Sequence, residues 1–299
     1  VSPRDYALLF SLGALWGASF LFIKVALFDL SLWTVVFARV ALGSAGLAVF
    51  AAVTRVADAK PAALLRNWRG ALVLALFSGV FPYVLITGSE LFIPSGSAAI
   101  LNATSPLFSA LLALVVARGQ TEERLTAGRV AGLLVGFGGV ALLLARPAAA
   151  PDNHTASTLD LLAGHGAVIA ASLCYAIAAL YTRRHQMDVA PAALSLGQNF
   201  TAAVIMLPLM LAFGGPFVMP GGAAIGAILG LGLLNTSLAY LIYYALVRSA
   251  GATRALSVTY LQPATALVYG ALLLSEPVTF VQIGGLAAIL GGVALATRR

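Results

Sequence analysis

Three charged side chains fall inside stretches of this 299-residue chain that are otherwise apolar: Lys24, Arg39 and Glu90. A charge at the centre of a membrane-spanning helix costs about 2.5–3.5 kcal/mol on insertion scales, so such groups must face protein or water. A guanidinium in that position can bind a solute carboxylate, or it can stretch its aliphatic stem back toward the membrane surface. Arg39 stands evenly between those roles. For Lys24, close to a predicted helix end, snorkelling plus a structural pair with Glu90 is the better reading. All three are kept as candidates: Arg39 for substrate binding, Lys24 and Glu90 for a gate.

Uncharged polar groups extend the set. Helical spacing puts Asn102 on one face with Ser95, Ser105 and Ser109, and puts Thr259 and Gln262 on one face with Ala252 and Ala266. Such faces serve close helix packing or line a wetted cavity. The carboxamides favour the cavity, because a polar group left unpaired in lipid costs several kcal/mol. Trp16, Ser19, Tyr83, Tyr175, Gln198, Asn199, Asn235, Tyr240 and Tyr243 are further candidates. The indole and phenol rings pair an apolar body with a polar handle, which suits amphiphilic organic solutes. Tyr6, Trp33, Trp68 and Tyr181, at helix ends, fit an interfacial belt instead. Pro106 and Pro263 sit mid-helix, where each should kink its helix, as a hinge or as a static bend.

Other chemistries find little support. There is no nucleophile elbow, no HExxH metal motif and no phosphate-binding loop, so no catalytic residue, metal or cofactor is expected. Cys174 fits a buried inert thiol and His165 a satisfied or wetted histidine. No carboxylate falls at mid-span, which disfavours proton coupling through a single obvious acid.

The elements that must position these groups follow from composition. Hydrophobic residues make up 61% and charged residues 9% of the chain, against about 25% charged in soluble domains. Ten helices are predicted, over 6–27, 31–54, 70–91, 94–117, 127–145, 160–182, 191–213, 222–247, 252–274 and 279–297. Each approaches the ~20 residues that span a ~30 Å hydrocarbon core. The net charge of +7 reflects membrane anchoring rather than nucleic-acid binding. With the N-terminus inside, fourteen of the seventeen basic residues fall in inner segments, and only Arg146 falls in an outer loop.

The chain also repeats itself. Tyr83 to Pro106 aligns with Tyr240 to Pro263 at an offset of 157, and Trp16-Gly17 through Lys24 aligns with Tyr175-Ala176 through Arg183 at 159. Glu123-x-Leu125-Thr126 matches Glu276-x-Val278-Thr279, and Gly138-Gly139-Val140 matches Gly291-Gly292-Val293, both at 153. Five helices per copy force the second copy to enter from the opposite side, and the charges agree. Arg118, Arg124 and Arg129 have neutral counterparts, as do Arg248 and Arg254. The fold class expected is an all-α polytopic membrane protein of ten helices in two inverted five-helix repeats, both termini cytoplasmic. The first repeat covers 1–146, an outer linker 147–159, and the second repeat 160–299. Inverted repeats of this kind build alternating-access transporters with a site near the midplane.

These residues carry a resemblance. Trp16-Gly17-x-x-Phe20 with Lys24, Arg39, and the repeated helix-Pro-helix-Glu-x-[Leu/Val]-Thr pattern ending in Gly-Gly-Val resemble the drug/metabolite transporter superfamily, specifically its ten-helix EamA-type members. The chain is most similar to amino-acid and metabolite exporters of the YddG kind. That resemblance implies an inner-membrane exporter of amino acids, aromatic ones included, with a central cavity between the repeats. The alternatives are a broad drug or organic-cation exporter, a passive channel and an intramembrane enzyme. The partners implied are a small-molecule substrate and the lipid bilayer, with no nucleic acid, and one monomer suffices. Tyr175 in place of Trp16 and Gln198 in place of Arg39 make the two halves of any site chemically unequal.

Overall fold

A computed structural model describes residues 3–54, 66–116, 126–146, 156–186, 188–216, 218–250 and 258–297. Of the residues named above, Ala252, Arg118, Glu123, Arg124, Leu125, Arg254 and linker positions 147–155 lie outside these.

Among the described residues the chain is helical throughout. The first helices are α1 (Pro3–Leu27), α2 (Leu32–Thr54) and α3 (Trp68–Ser89). Next come α4, in two pieces (Ser95–Asn102 and Ser105–Val116), α5 (Ala127–Ala145), α6 (Thr158–His185) and α7 (Pro191–Phe213). The last are α8 (Gly222–Ala250), α9 (Val258–Leu273) and α10 (Phe280–Thr297). Eight of these contain apolar spans long enough to cross a membrane, and α9 and α10 are shorter apolar helices.

The element starts follow from capping. In both copies the threonine of the Glu-x-[Leu/Val]-Thr motif opens the next helix. Thr126 Oγ1 accepts from the Arg129 N–H at 3.2 Å, and Thr279 Oγ1 accepts from the Gln282 N–H at 3.2 Å. At α10 the Gln282 side chain returns the bond to the Thr279 N–H at 2.8 Å, a reciprocal capping box. α6 has its own box from Ser157 and Asp160.

The two halves interlock rather than sit side by side. The extensive packing runs between copies: α5 on α10, α2 on α7, α1 on α8 and α9, α6 on α3 and α4, and α3 on α7 matched by α8 on α2. Exchanging the halves turns each of these contacts into itself or into another on the same roll, as a two-fold relation requires. Small residues permit the close approaches. A Cβ at Gly139 would meet Ala288 Cβ and the Gly285 carbonyl at 2.9 Å, and one at Gly292 would run into the backbone of Gly136 and Gly132. Dispersion between close backbones supplies such contacts where lipid offers no hydrophobic gain.

Two features depart from the sequence reading. α4 is not one helix: the chain turns at Ala103 and Thr104 and restarts at Ser105, with Pro106 in the new first turn. A proline is tolerated there because its missing N–H would have lacked a partner anyway. The equivalent Pro263 lies inside an unbroken α9, so the matched prolines do not behave alike. Sequence periodicity also misses a pair of matched π-helical stretches. Leu76–Val80 interrupts α3 and Gly230–Leu238 interrupts α8, and the 157 offset maps the first into the second. Each adds a residue to the turn and rotates the helix beyond it, a distortion common at functional sites.

Candidate functional site

Beyond the π-stretch of α3 comes Tyr83, buried against Val36, Val40, Ala202 and Met206. The Arg39 guanidinium of α2 lies over its ring, with Cζ 3.9 Å from the centroid. Tyr175 of α6 packs against the same cluster, and Tyr83 and Arg39 are its electrostatic neighbours. Arg39 Nε has no hydrogen-bond partner. A guanidinium held flat on a phenol keeps its edge available to an anion, and the stacking offsets part of the cost of burying it.

The second copy builds the same arrangement from different residues. In place of Arg39, Gln198 of α7 donates from Nε2 to the Tyr240 hydroxyl at 3.2 Å. Tyr240, which stands where Tyr83 does, meets Trp16 of α1 edge to face at 6.3 Å. Trp16 in turn lies 5.7 Å from Tyr243. The mirror pairs are thus Arg39–Tyr83–Tyr175 and Gln198–Tyr240–Trp16. One carries a positive charge; the other is neutral and richer in aromatic surface.

A third pair has no mirror image. Asn235, inside the π-stretch of α8, donates from Nδ2 to Ser19 Oγ at 2.9 Å, and its Oδ1 is buried without a partner. The corresponding positions in the other half are Ser78 and Ala178, which cannot form this bond.

The remaining candidates divide. Asn102 ends the first piece of α4, with Oδ1 also unpartnered, while its carbonyl accepts from Ser105 Oγ at 2.8 Å and from Ser172 Oγ of α6 at 3.4 Å. Ser105 and Ser109 spend their hydroxyls on carbonyls of their own helix, so that face of α4 is less open than its composition implies. Asn199 turns back to the Ser195 carbonyl at 2.8 Å. Thr259 and Gln262 are half-buried on α9, and Thr265 below them donates to carbonyls of Gly13, Leu261 and Gln262. His165 is buried, its Nδ1 2.7 Å from the Leu161 carbonyl.

At one end of the bundle the halves are locked together. Lys24 and Arg39 do not snorkel: they are 4% and 9% exposed. Lys24 Nζ donates to the main-chain carbonyl of Glu90 at 2.7 Å. Glu276, in the connection before α10, accepts from Ser95 N and Ser95 Oγ, both at 2.8 Å, and from Gly96 N at 3.2 Å. A carboxylate on the N-terminal N–H groups of α4 satisfies orphan donors and complements the helix dipole. Gln282 Nε2 donates to Ser97 Oγ at 2.9 Å beside it. Ser275, with φ at 55°, is the non-glycine residue in the left-handed region that aims Glu276 at α4. Sequence reasoning singled out the repeated motif containing Glu276 but gave that carboxylate no role.

Known proteins share this fold. A solved crystal structure covers 99% of the chain and 97% of its own length with a TM-score of 0.65 at 20% identity, which shows the fold. An uncharacterized protein of Pseudomonas aeruginosa is 31% identical over 79% of this chain and 75% of its own. A protein of Streptantibioticus cattleyicolor named "Probable terminal-alkyne amino-acid exporter" is 30% identical over 95% of this chain and 90% of its own. Residues 5–145 and 162–298 each match the EamA-like transporter family. Matched twice in succession over nearly its whole length, the chain belongs to the EamA-like transporter family of the drug/metabolite transporter superfamily.

Proposed function

We propose that this transporter exports small amphiphilic metabolites, amino acids with aromatic side chains among them, by alternating access between its two halves. The observation that carries the reading is the unequal mirror pair. The Arg39 guanidinium, stacked on Tyr83 with Nε unpartnered, suits a carboxylate, and the Trp16–Tyr240–Tyr243 cluster suits an apolar or aromatic side chain. The unpartnered Asn235 oxygen could accept from an ammonium group. The name of the Streptantibioticus relative agrees in substrate class.

The topology follows the charge bias. With both termini cytoplasmic, the end bearing Glu90 and Glu276 faces outside, and the structure corresponds to a state with its outer gate shut. Residues 1–146 and 160–299 are the two inverted repeats on either side of the linker, and because their helices interlock the moving units draw on both, one monomer sufficing. Lys24 and Glu90 belong to the gate, and the α4 break just before Pro106 is where the bundle bends while α9 at Pro263 stays continuous.

The test is counterflow in proteoliposomes across all amino acids plus a quaternary ammonium cation, with and without a pH gradient. Saturable exchange of aromatic amino acids, lost in Arg39→Gln, is the expected result. Exchange of the cation with no amino-acid competition would overturn the reading in favour of an organic-cation exporter, and non-saturable flux would favour a channel.

A further inference from the structure

Glu90 follows the last turn of α3, is 0% exposed, and has neither carboxylate oxygen hydrogen-bonded. Its charged neighbours are Lys24 of α1, Arg39 of α2 and Glu276 of the connection before α10. α6 packs here through Gly164, which lies against Ser89 and Ile93, and brings the buried His165. α7 offers no titratable side chain among its described residues, and neither does the first piece of α4.

The neighbours are already engaged. Lys24 donates to the main-chain carbonyl of Glu90, Arg39 is stacked on Tyr83, and His165 is turned to the Leu161 carbonyl. Glu276 receives three donors from Ser95 and Gly96, so it is the settled anion of this end. Glu90 is a second carboxylate in the same dry site without a donor of its own. Burying an ionised carboxylate that way is far more costly than burying a neutral carboxyl, and two acids sharing a site resolve the repulsion by one of them keeping its proton.

We propose that Glu90 is the proton-binding site of this gate, and that closing the gate takes up one proton from the compartment it faces. Opening parts Glu276 from Ser95 and Gly96, Gln282 from Ser97 and Lys24 from the Glu90 carbonyl. Water then reaches Glu90, and the carboxyl releases its proton to that water. Closure is the reverse: the carboxylate takes a proton from the same compartment and is buried neutral. Acid therefore favours the shut gate, and rising pH opens it. With Glu90 neutral, Lys24 and Arg39 outweigh Glu276 by one positive charge, which leaves Arg39 able to accept an anionic group. The proposal rests on the reading above only for calling that compartment the outside.

The experiment needs no substrate. Ser97→Cys is introduced in a Cys174→Ser background, and its modification by a membrane-impermeant thiol reagent is followed against pH in proteoliposomes. Dividing by the rate at Phe28→Cys, an exposed position, removes the thiol's own pH dependence. The normalised rate should rise with pH by up to about tenfold per unit, the limit for one linked proton. Glu90→Gln should make it slow and flat. Glu276→Gln should raise it at every pH while keeping the slope. A slope that persists in Glu90→Gln, or a rate at Ser97→Cys that does not change with pH, overturns the proposal. The infrared C=O stretch of a protonated carboxyl, present in the parent and lost in Glu90→Gln, is the second readout. Labelling from the opposite side would refute the orientation, and failed amino-acid counterflow would refute the substrate; neither alters the pH slope.

Discussion

Arg39 and Gln198 occupy the same place in the two copies, yet one stacks on a tyrosine and the other hydrogen-bonds to one. A hydrogen bond to a charged partner contributes about 1.5–3 kcal/mol. Arg39→Gln should therefore lower transport efficiency for carboxylate-bearing solutes roughly ten- to a hundredfold. Arg39→Lys should not restore it, because an ammonium lacks the planar face that lies on Tyr83. Counterflow rates at matched protein levels check both. A second residue-scale prediction concerns the repeated Gly-Gly. Gly291 has open space where a Cβ would be, whereas Gly292 abuts Gly136 and Gly132. Gly291→Ala should leave the thermal unfolding midpoint in detergent unchanged, and Gly292→Ala should lower it, overpacking costing about 1–3 kcal/mol. The polar candidates were legible because a carboxamide or guanidinium stands out in an apolar run. Their partners were not: the same alphabet gives Asn199 a bond to its own helix and Asn235 a bond to another.

At the scale of elements, the connection between α9 and α10 acts as a latch. The Gly270 carbonyl collects the N–H groups of Leu274 and Glu276, and Ser275 between them takes a left-handed conformation. Such a backbone costs an L-residue roughly 1–2 kcal/mol, and glycine is exempt. Ser275→Gly should accordingly raise the unfolding midpoint, and Ser275→Val should lower it and loosen the hold of Glu276 on α4. The caps at Thr126 and Thr279 could be read directly, since a side-chain oxygen before an apolar run is a local signal. The matched π-stretches could not. An extra residue per turn persists only where neighbouring helices reward it. The Ser237 hydroxyl, bonded both to Gly232 in its own helix and to Gly43 on α2, shows where that support comes from.

The whole molecule is a multi-pass inner-membrane transporter whose halves hold each other together. Since the principal contacts run between copies, residues 1–146 or 160–299 expressed alone should be degraded or aggregate. Co-expressed, they should assemble into one particle by size-exclusion chromatography. Orientation is checked separately with cysteines at Arg66 and Phe28, both exposed. In a Cys174→Ser background the impermeant reagent should reach Phe28→Cys from the periplasmic side and Arg66→Cys only after the membrane is permeabilised. Labelling of both from one side would mean that α2 does not cross the membrane and would end this topology.

Hydrophobic runs, loop charges and aligned motifs by themselves determined the apolar helices, their duplication and a family, because those properties are local or are repeated at constant offset. Helix starts followed for the same reason. Tertiary structure decided which polar groups meet. It broke α4 at Ala103 and Thr104 while leaving α9 whole, turned Lys24 inward to the Glu90 carbonyl, and laid Glu276 on the N-terminus of α4. Each of those outcomes involves groups far apart in the chain, and the Glu276 contact joins the two copies, so no single stretch of chain contains the information about what will pack against it.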